Sequence, residues 1–173
     1  MDTLDIRFSG SGGQGLILAA RILAEALTDS GRNVAQSQAY EPVSRGGLSR
    51  SDLVVSDGEA DYPLSRSLDY LLILDEAAAV ASDDLTDEGT VVLADAELVQ
   101  TLPAGAKPLP FTDTARRLGN KRVANIVALG ALSAAGDICD RDTLEQCLQA
   151  MAPPRFILLN MEAFEAGRQL VQA

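Results

Sequence analysis

Histidine is absent from all 173 residues, which removes Ser-His-Asp and Cys-His constellations and imidazole acid–base chemistry together. Cysteine is scarce. Cys139 and Cys147 lie eight residues apart with no CxxC, so this chain alone assembles neither a four-ligand zinc site nor an iron–sulfur cluster. Two buried thiols are expected, with no metal site and no catalytic residue. Positive charge is also in short supply, 14 Lys and Arg against 25 Asp and Glu, for a formal net charge of −11. Such a chain repels DNA, RNA and anionic lipid, so no nucleic acid and no membrane is expected as a partner. No apolar run reaches the roughly 18 residues needed to span a bilayer. The opening "MDTLDIRF" lacks the basic flank and apolar stretch of a secretory signal, and a cytoplasmic location is the expectation.

What is present reads as alternating strands and helices. "TLDIRFS" alternates Leu4, Ile6 and Phe8 with polar neighbours as a first strand, and the glycines of "SGSGGQG" (Ser9 to Gly15) follow at once. From Gln14 to about Ser30 apolar residues recur near the 3.6 period, with Gly31 as the stop, and "NVAQSQA" is a second strand. This is the β-loop-α-β order of a mononucleotide-binding unit. "DLVVSD", "DYLLILD" and "GTVVLAD" read as buried strands, Glu76 to Asp84 as a short helix, and "AKPLPFTD" as an edge strand because of its prolines. Helices are expected at Thr112 to Leu118, Lys121 to Ala135, Arg141 to Met151 and Met161 to Val171. The length fits one domain, an α/β three-layer Rossmann-like fold with a largely parallel sheet and helices on both faces.

Glycine removes the side chain that would block a ligand, and Gly10, Gly12 and Gly15 fit GxGxxG with Gly13 as an extra. Amide N–H groups at the start of the following helix suit a phosphate, and Gly10, Ser11, Gly12, Gly13, Gln14 and Gly15 are the binding candidates. A ligand-free tight turn is the alternative. NAD is disfavoured because the second strand ends "QSQ", with Glu41 several residues into the next loop, where a carboxylate for the ribose is wanted. In "SRGGLSRSD" Arg45 and Arg50 flank a glycine pair, and arginine forks bind phosphate or carboxylate bidentately. A solvated surface turn is the plainer reading of the same residues. Only Lys107 and Lys121 are lysine; Asn120 and Lys121 open the helix "GNKRVANIVALGAL", most of which is core. Asn125, one turn in, needs a hydrogen-bond partner if buried, either structural or in a ligand.

Four stretches, "GSGGQGLILAARILAEAL", "SQAYEPVSRGGLSRSDLVVSDGEADYP", "PFTDTARRLGNKRVANIVALGAL" and "NMEAFEAG", resemble the gamma subunit of the 2-oxoacid:ferredoxin oxidoreductases, most closely the 2-oxoglutarate branch. The resemblance identifies residues 1–173 as a pyruvate/ketoisovalerate oxidoreductase gamma-type domain. It implies a non-catalytic subunit of a complex that oxidatively decarboxylates a 2-oxoacid to acyl-CoA and passes electrons to ferredoxin. It further implies alpha and beta subunits with thiamine diphosphate and Mg between them, iron–sulfur clusters on beta or delta chains, and a ferredoxin-like delta subunit or domain. This chain would receive and cover coenzyme A, with Gly10 to Gly15 near the CoA phosphates, Arg45 as a cation and Asn125 as a polar contact. Family members commonly have Tyr-Gly-Pro before the RGG; here Tyr40, Glu41 and Pro42 place a carboxylate there, which fits an indolepyruvate or phenylglyoxylate enzyme as an alternative. A free-standing NAD- or FAD-binding oxidoreductase is the reading from a different class. An assembly subunit whose glycine loop is only a turn is the third.

Overall fold

The computed structural model describes residues 3–41, 47–58 and 67–172. Strand β1 (Thr3–Ser11) leads through the glycine loop into helix α1 (Leu16–Asp29), and β2 (Asn33–Tyr40) and β3 (Leu48–Ser56) follow. Then come β4 (Tyr70–Ile73), β5 (Val91–Asp95) and β6 (Lys107–Leu109), and the helices α2 (Phe111–Arg117), α3 (Ala124–Ala135), α4 (Arg141–Met151) and α5 (Ile157–Gln172). The strands form one sheet in the order β2-β3-β1-β4-β5-β6. β1, β4, β5 and β6 are parallel neighbours, while β3 runs antiparallel to both β1 and β2. Five of the described strands therefore share one direction, and β3 alone opposes them.

This topology departs from a mononucleotide-binding unit at one point. The β1-α1-β2 order is present, but β2 does not lie beside β1, because β3 is inserted between them. Burial departs from the simple alternation as well. Ile6 and Phe8 lie in the core on one face of β1, yet Arg7 and Ser9 on the other face are buried too. Arg7 pairs with its register partner Asp52 on β3, Nε to Oδ1 and Nη2 to Oδ2 both at 2.8 Å, and Nη1 donates to Ser82 Oγ at 3.0 Å. A buried charge is tolerable there because it is paired and its donors are used.

The single α/β domain with a largely parallel sheet is the observed fold, but the α-helices expected on both faces lie on one face only among the described residues. All five α-helices contribute to the core on the face of Ile6, Phe8, Leu53 and Leu72. The opposite face, around Leu71, Ile73, Val92 and Ala94, is covered among the described residues by short 3-10 turns, Glu76–Ala78 and Asp83–Leu85, where a helix was expected. Asp75 and Ser82 each precede one of these turns, and Asp75 accepts from the Ala77 N–H at 3.0 Å, so the segment turns rather than winding on. The prolines keep β6 at the sheet edge as expected. Among the described residues no helix is long and apolar enough to cross a membrane.

α3 is apolar around its whole circumference and lies at the centre of the helical layer, with Asn125 to Ser133 all buried. Small residues let α5 cross it with almost no gap. A Cβ on Gly130 would sit 2.0 Å from the Phe164 carbonyl oxygen, and one on Gly167 would sit 1.8 Å from that of Val127. Both obstacles are backbone, so neither can swing away. Gly167→Ala is expected to force the helices apart at a cost of about 1–3 kcal/mol or more, seen as a lower urea midpoint. An unchanged midpoint would show that the helices have room to part.

Candidate functional site

The glycine loop lies at the carboxyl ends of β1 and β4, where α/β sheets bind ligands. Its shape is held by three side chains. Gln14 Oε1 accepts from the Ser11 N–H at 2.8 Å while its Nε2 donates to the Leu74 carbonyl at 2.8 Å, tying the loop to the end of β4. Ser11 Oγ donates to Asp75 Oδ2 at 3.0 Å. Asn125, only 4% exposed, donates from Nδ2 to the Gly15 carbonyl at 3.0 Å. The candidate side chains Ser11, Gln14 and Asn125 are thus engaged in bracing the loop, which leaves the backbone to meet a ligand.

The four glycines are there for different reasons. A Cβ on Gly10 would lie 2.3 Å from Gln14 Oε1, and one on Gly15 would lie 2.5 Å from Asn125 Nδ2. Gly13 and Gly15 also adopt φ of 90° and 75°, a region that side chains strain. Gly12 has neither constraint: its φ is unexceptional and among the described residues nothing lies within 4 Å of a Cβ built there. The fold itself does not demand glycine at this position.

α1 starts with Gly15 as its cap, without a capping side chain and without an acidic residue in its first turn. Its opening N–H groups therefore favour an anion. On the loop itself the Gly12 N–H faces the Gly47 carbonyl at 3.3 Å, while among the described residues the N–H groups of Gly13 and Gly15 have no acceptor. Asp75 puts negative charge at the Ser11 end, so the stretch from Gly12 onward is the part suited to phosphate.

Antiparallel β3 decides what stands on the other side of the loop. It begins beside the glycines rather than ending there, with Leu48 opposite Ser11 and Gly47 against Gly12. The carboxyl end of β3 therefore points away from the loop and brings no ribose carboxylate to it, while the one that follows parallel β4, Asp75, is already engaged by Ser11 Oγ; the NAD reading loses the support of the β1-α1-β2 order. Glu41, the departure from the family pattern, pairs with the start of β3: its N–H donates to the Leu48 carbonyl at 2.8 Å, and its Oε2 accepts from the Leu48 N–H at 3.4 Å. Arg45 lies outside the described residues. Arg50 is opposite Ser9 on β3 and lines a shallow pocket with Tyr40 and Glu41.

Next to the loop, a cleft of about 270 Å³ is lined by Gly13, Gln14, Leu74, Asp95, Lys121 and Arg122 among others. Sequence reading did not single out Asp95, although "VLAD" ends a parallel strand in a carboxylate just as "LILD" does. Asp95 is buried, accepting from the N–H groups of Glu97 and Leu98 and from both the N–H and Oγ1 of Thr112, the last two at 2.8 and 2.7 Å. It holds the start of α2 in place. Arg116, also on the cleft wall, pairs with Glu97 at 2.6 Å, and that hydrogen bond and charge hold its guanidinium more firmly protonated than usual. The thiols lie away from the cleft. Burial and the neighbouring Asp29 carboxylate push Cys147 up to about 11, so it stays protonated and unreactive at neutral pH. Cys147 is buried and Cys139 half-buried.

The chain is 44% identical over 132 residues to the 2-oxoglutarate synthase subunit KorC of Archaeoglobus fulgidus, an alignment covering 76% of this chain and 70% of that protein. Its fold matches the gamma subunit of a keto/oxoacid ferredoxin oxidoreductase from Geobacter sulfurreducens, with a TM-score of 0.89 at 38% identity, covering 99% of this chain and 98% of that one. It also matches, with a TM-score of 0.87 at 26% identity, the 2-oxoglutarate:ferredoxin oxidoreductase of Magnetococcus marinus with 2-oxoglutarate, coenzyme A and succinyl-CoA bound, covering 99% of this chain and 31% of that longer one. With residues 5–170 matching its pattern, the chain belongs to the pyruvate ferredoxin/flavodoxin oxidoreductase family.

Proposed function

We propose that this chain is the gamma subunit of a 2-oxoglutarate:ferredoxin oxidoreductase and that its glycine loop receives coenzyme A. The complex converts the 2-oxoacid and CoA to acyl-CoA and carbon dioxide, with the electrons passing to ferredoxin. Thiamine diphosphate with Mg, on alpha and beta subunits, and iron–sulfur clusters, reaching a ferredoxin-like delta subunit or domain, supply the decarboxylation and electron transfer. This chain's residues do the binding: Gln14, Ser11 and Asn125 hold the loop rigid, and the Gly13 and Gly15 N–H groups with the uncapped start of α1 face the CoA phosphates. Arg45 adds a cation to the same anion.

The observation that carries the CoA assignment is Gly12, a glycine with open space at its Cβ position among the described residues, in a loop whose other glycines meet a side chain or adopt a positive φ. Close approach of a ligand gives that position a reason. The kinship with KorC and the likeness to the Magnetococcus enzyme favour 2-oxoglutarate as the oxoacid. The test is co-expression with the partner subunits and assay of ferredoxin reduction dependent on 2-oxoglutarate and CoA. Activity is expected in the complex and none in this chain alone. Turnover by the isolated chain, or a complex whose CoA dependence is the same without it, would overturn the assignment.

A further inference from the structure

The cleft beside the glycine loop holds more positive charge than the fold uses. Its walls carry Arg116, Lys121 and Arg122 against the carboxylates of Asp95 and Glu97, in a chain of net charge −11. Both carboxylates are already engaged: Asp95 by four donors, the N–H groups of Glu97 and Leu98 after β5 and the N–H and Oγ1 of Thr112 in α2, and Glu97 by Arg116. Arg116 also reaches Asp113 at 3.5 Å. Lys121 and Arg122 have no side-chain partner among the described residues. Both side chains are exposed, but their backbone is fixed, because they lie on a 3-10 turn, Lys121–Val123, capped by Asn120, whose Oδ1 accepts from the Arg122 N–H at 3.0 Å. Two adjacent cations on a fixed turn, facing the same cleft as Gly13, make a site for a doubly charged anion.

We propose that Lys121 and Arg122 hold the ribose 3′-phosphate of coenzyme A, an inference that rests on the CoA reading of the glycine loop. CoA carries two kinds of phosphate. The pyrophosphate has one charge per phosphorus and suits backbone N–H groups at a helix start. The 3′-phosphate is a monoester with a second pKa of about 6, so it is close to a dianion at neutral pH and needs cations rather than amides. The loop and the turn line one cleft and divide these two tasks between them.

The experiment compares CoA with 3′-dephospho-CoA in the reconstituted complex, by KM in acyl-CoA formation and by Kd from calorimetric titration. The wild-type complex is expected to prefer CoA by about 10- to 100-fold, the range of one or two charge-assisted contacts. The double variant Lys121→Ala/Arg122→Ala should bring the preference close to unity by weakening CoA and leaving 3′-dephospho-CoA unchanged. Arg155→Ala, on the distant Pro154–Phe156 turn, should keep it. A wild type with no preference, or a double variant that retains it, overturns the proposal. A complex that makes no acyl-CoA from either thiol overturns the CoA reading instead, so the two failures are told apart.

Discussion

Gly12→Val is expected to raise the apparent KM for CoA by roughly 10- to 100-fold or more in the reconstituted complex, while the variant melts no lower than wild type. The two halves of this expectation have separate causes. Among the described residues nothing lies within 4 Å of the new Cβ and the backbone is not in the left-handed region, so no contact among them is violated. Replacing glycine also narrows the unfolded ensemble, which favours the folded state by a few tenths to about 1 kcal/mol. With CoA on the loop as proposed, an isopropyl group would stand where a phosphate approaches the backbone, and overpacking there would fall on the ligand. Gly12→Ala should give a smaller effect in the same direction. Oxoacid-driven cluster reduction without CoA should survive both changes, because the proposed function gives that chemistry to partner subunits. A normally folded Gly12→Val complex with unchanged CoA dependence would mean that the loop is a structural turn.

Asp52→Ala is expected to destabilise the chain by about 3–5 kcal/mol, a large share of the roughly 5–15 kcal/mol that holds a domain folded. It leaves the Arg7 guanidinium, whose side chain is only 3% exposed, without the carboxylate that accepts from both Nε and Nη2. The expected fall in thermal midpoint is on the order of 10 °C. Removing the charge from both strands should undo most of the damage, since a well-packed apolar pair avoids the desolvation of both ions. Arg7→Met/Asp52→Leu should therefore melt well above Asp52→Ala. If the single and double variants melt together, the loss is one of packing and the unpaired charge is not its cause. The pair has a bearing on the site too. It sits at the register point Arg7 to Asp52 of the β1–β3 ladder, the same ladder that brings Gly47 and Leu48 against the glycine loop. A one-residue slip would turn every side chain of β3 to the opposite face.

Local chemistry was enough to locate many of the elements. α4 runs from Arg141 to Met151 as its periodicity predicts, because Asp140 accepts from the Thr143 N–H and Oγ1 at its start and the chain meets two prolines after its end. α1 follows the glycines, and of the positions the 3.6 period marks, Leu16, Ala19, Ile22, Leu23, Ala26 and Leu27 are buried while Leu18 is exposed, and Ala20, which the period does not mark, is buried. α5 begins a turn earlier than expected, at Ile157, directly after the 3-10 turn Pro154–Phe156 that supplies the proline break. The glycine loop falls where a strand gives way to a helix.

Strand order and the division of labour in the site were decided only in three dimensions. Alternation records which faces of a strand are buried, but it carries neither its direction nor its neighbour, so "DLVVSD" did not disclose that β3 runs backward between β2 and β1. The alternation of β1 was itself misleading about exposure, since Arg7 is buried by a partner 45 residues away. Likewise the four glycines are alike in sequence and distinct in space, because what each Cβ would meet depends on Gln14 within the loop and on Asn125, which lies 110 residues away from Gly15. Lys121 and Arg122 read as the opening of a core helix until the carboxyl ends of β4 and β5 placed them on a cleft shared with Gly13. The sequence by itself determined the class of fold, the place of the glycine loop between a strand and a helix, and the lack of any histidine, all of which depend on residue type and short-range spacing. Tertiary structure decided which groups are left unpaired, because pairing across the sheet depends on contacts between residues far apart in the chain.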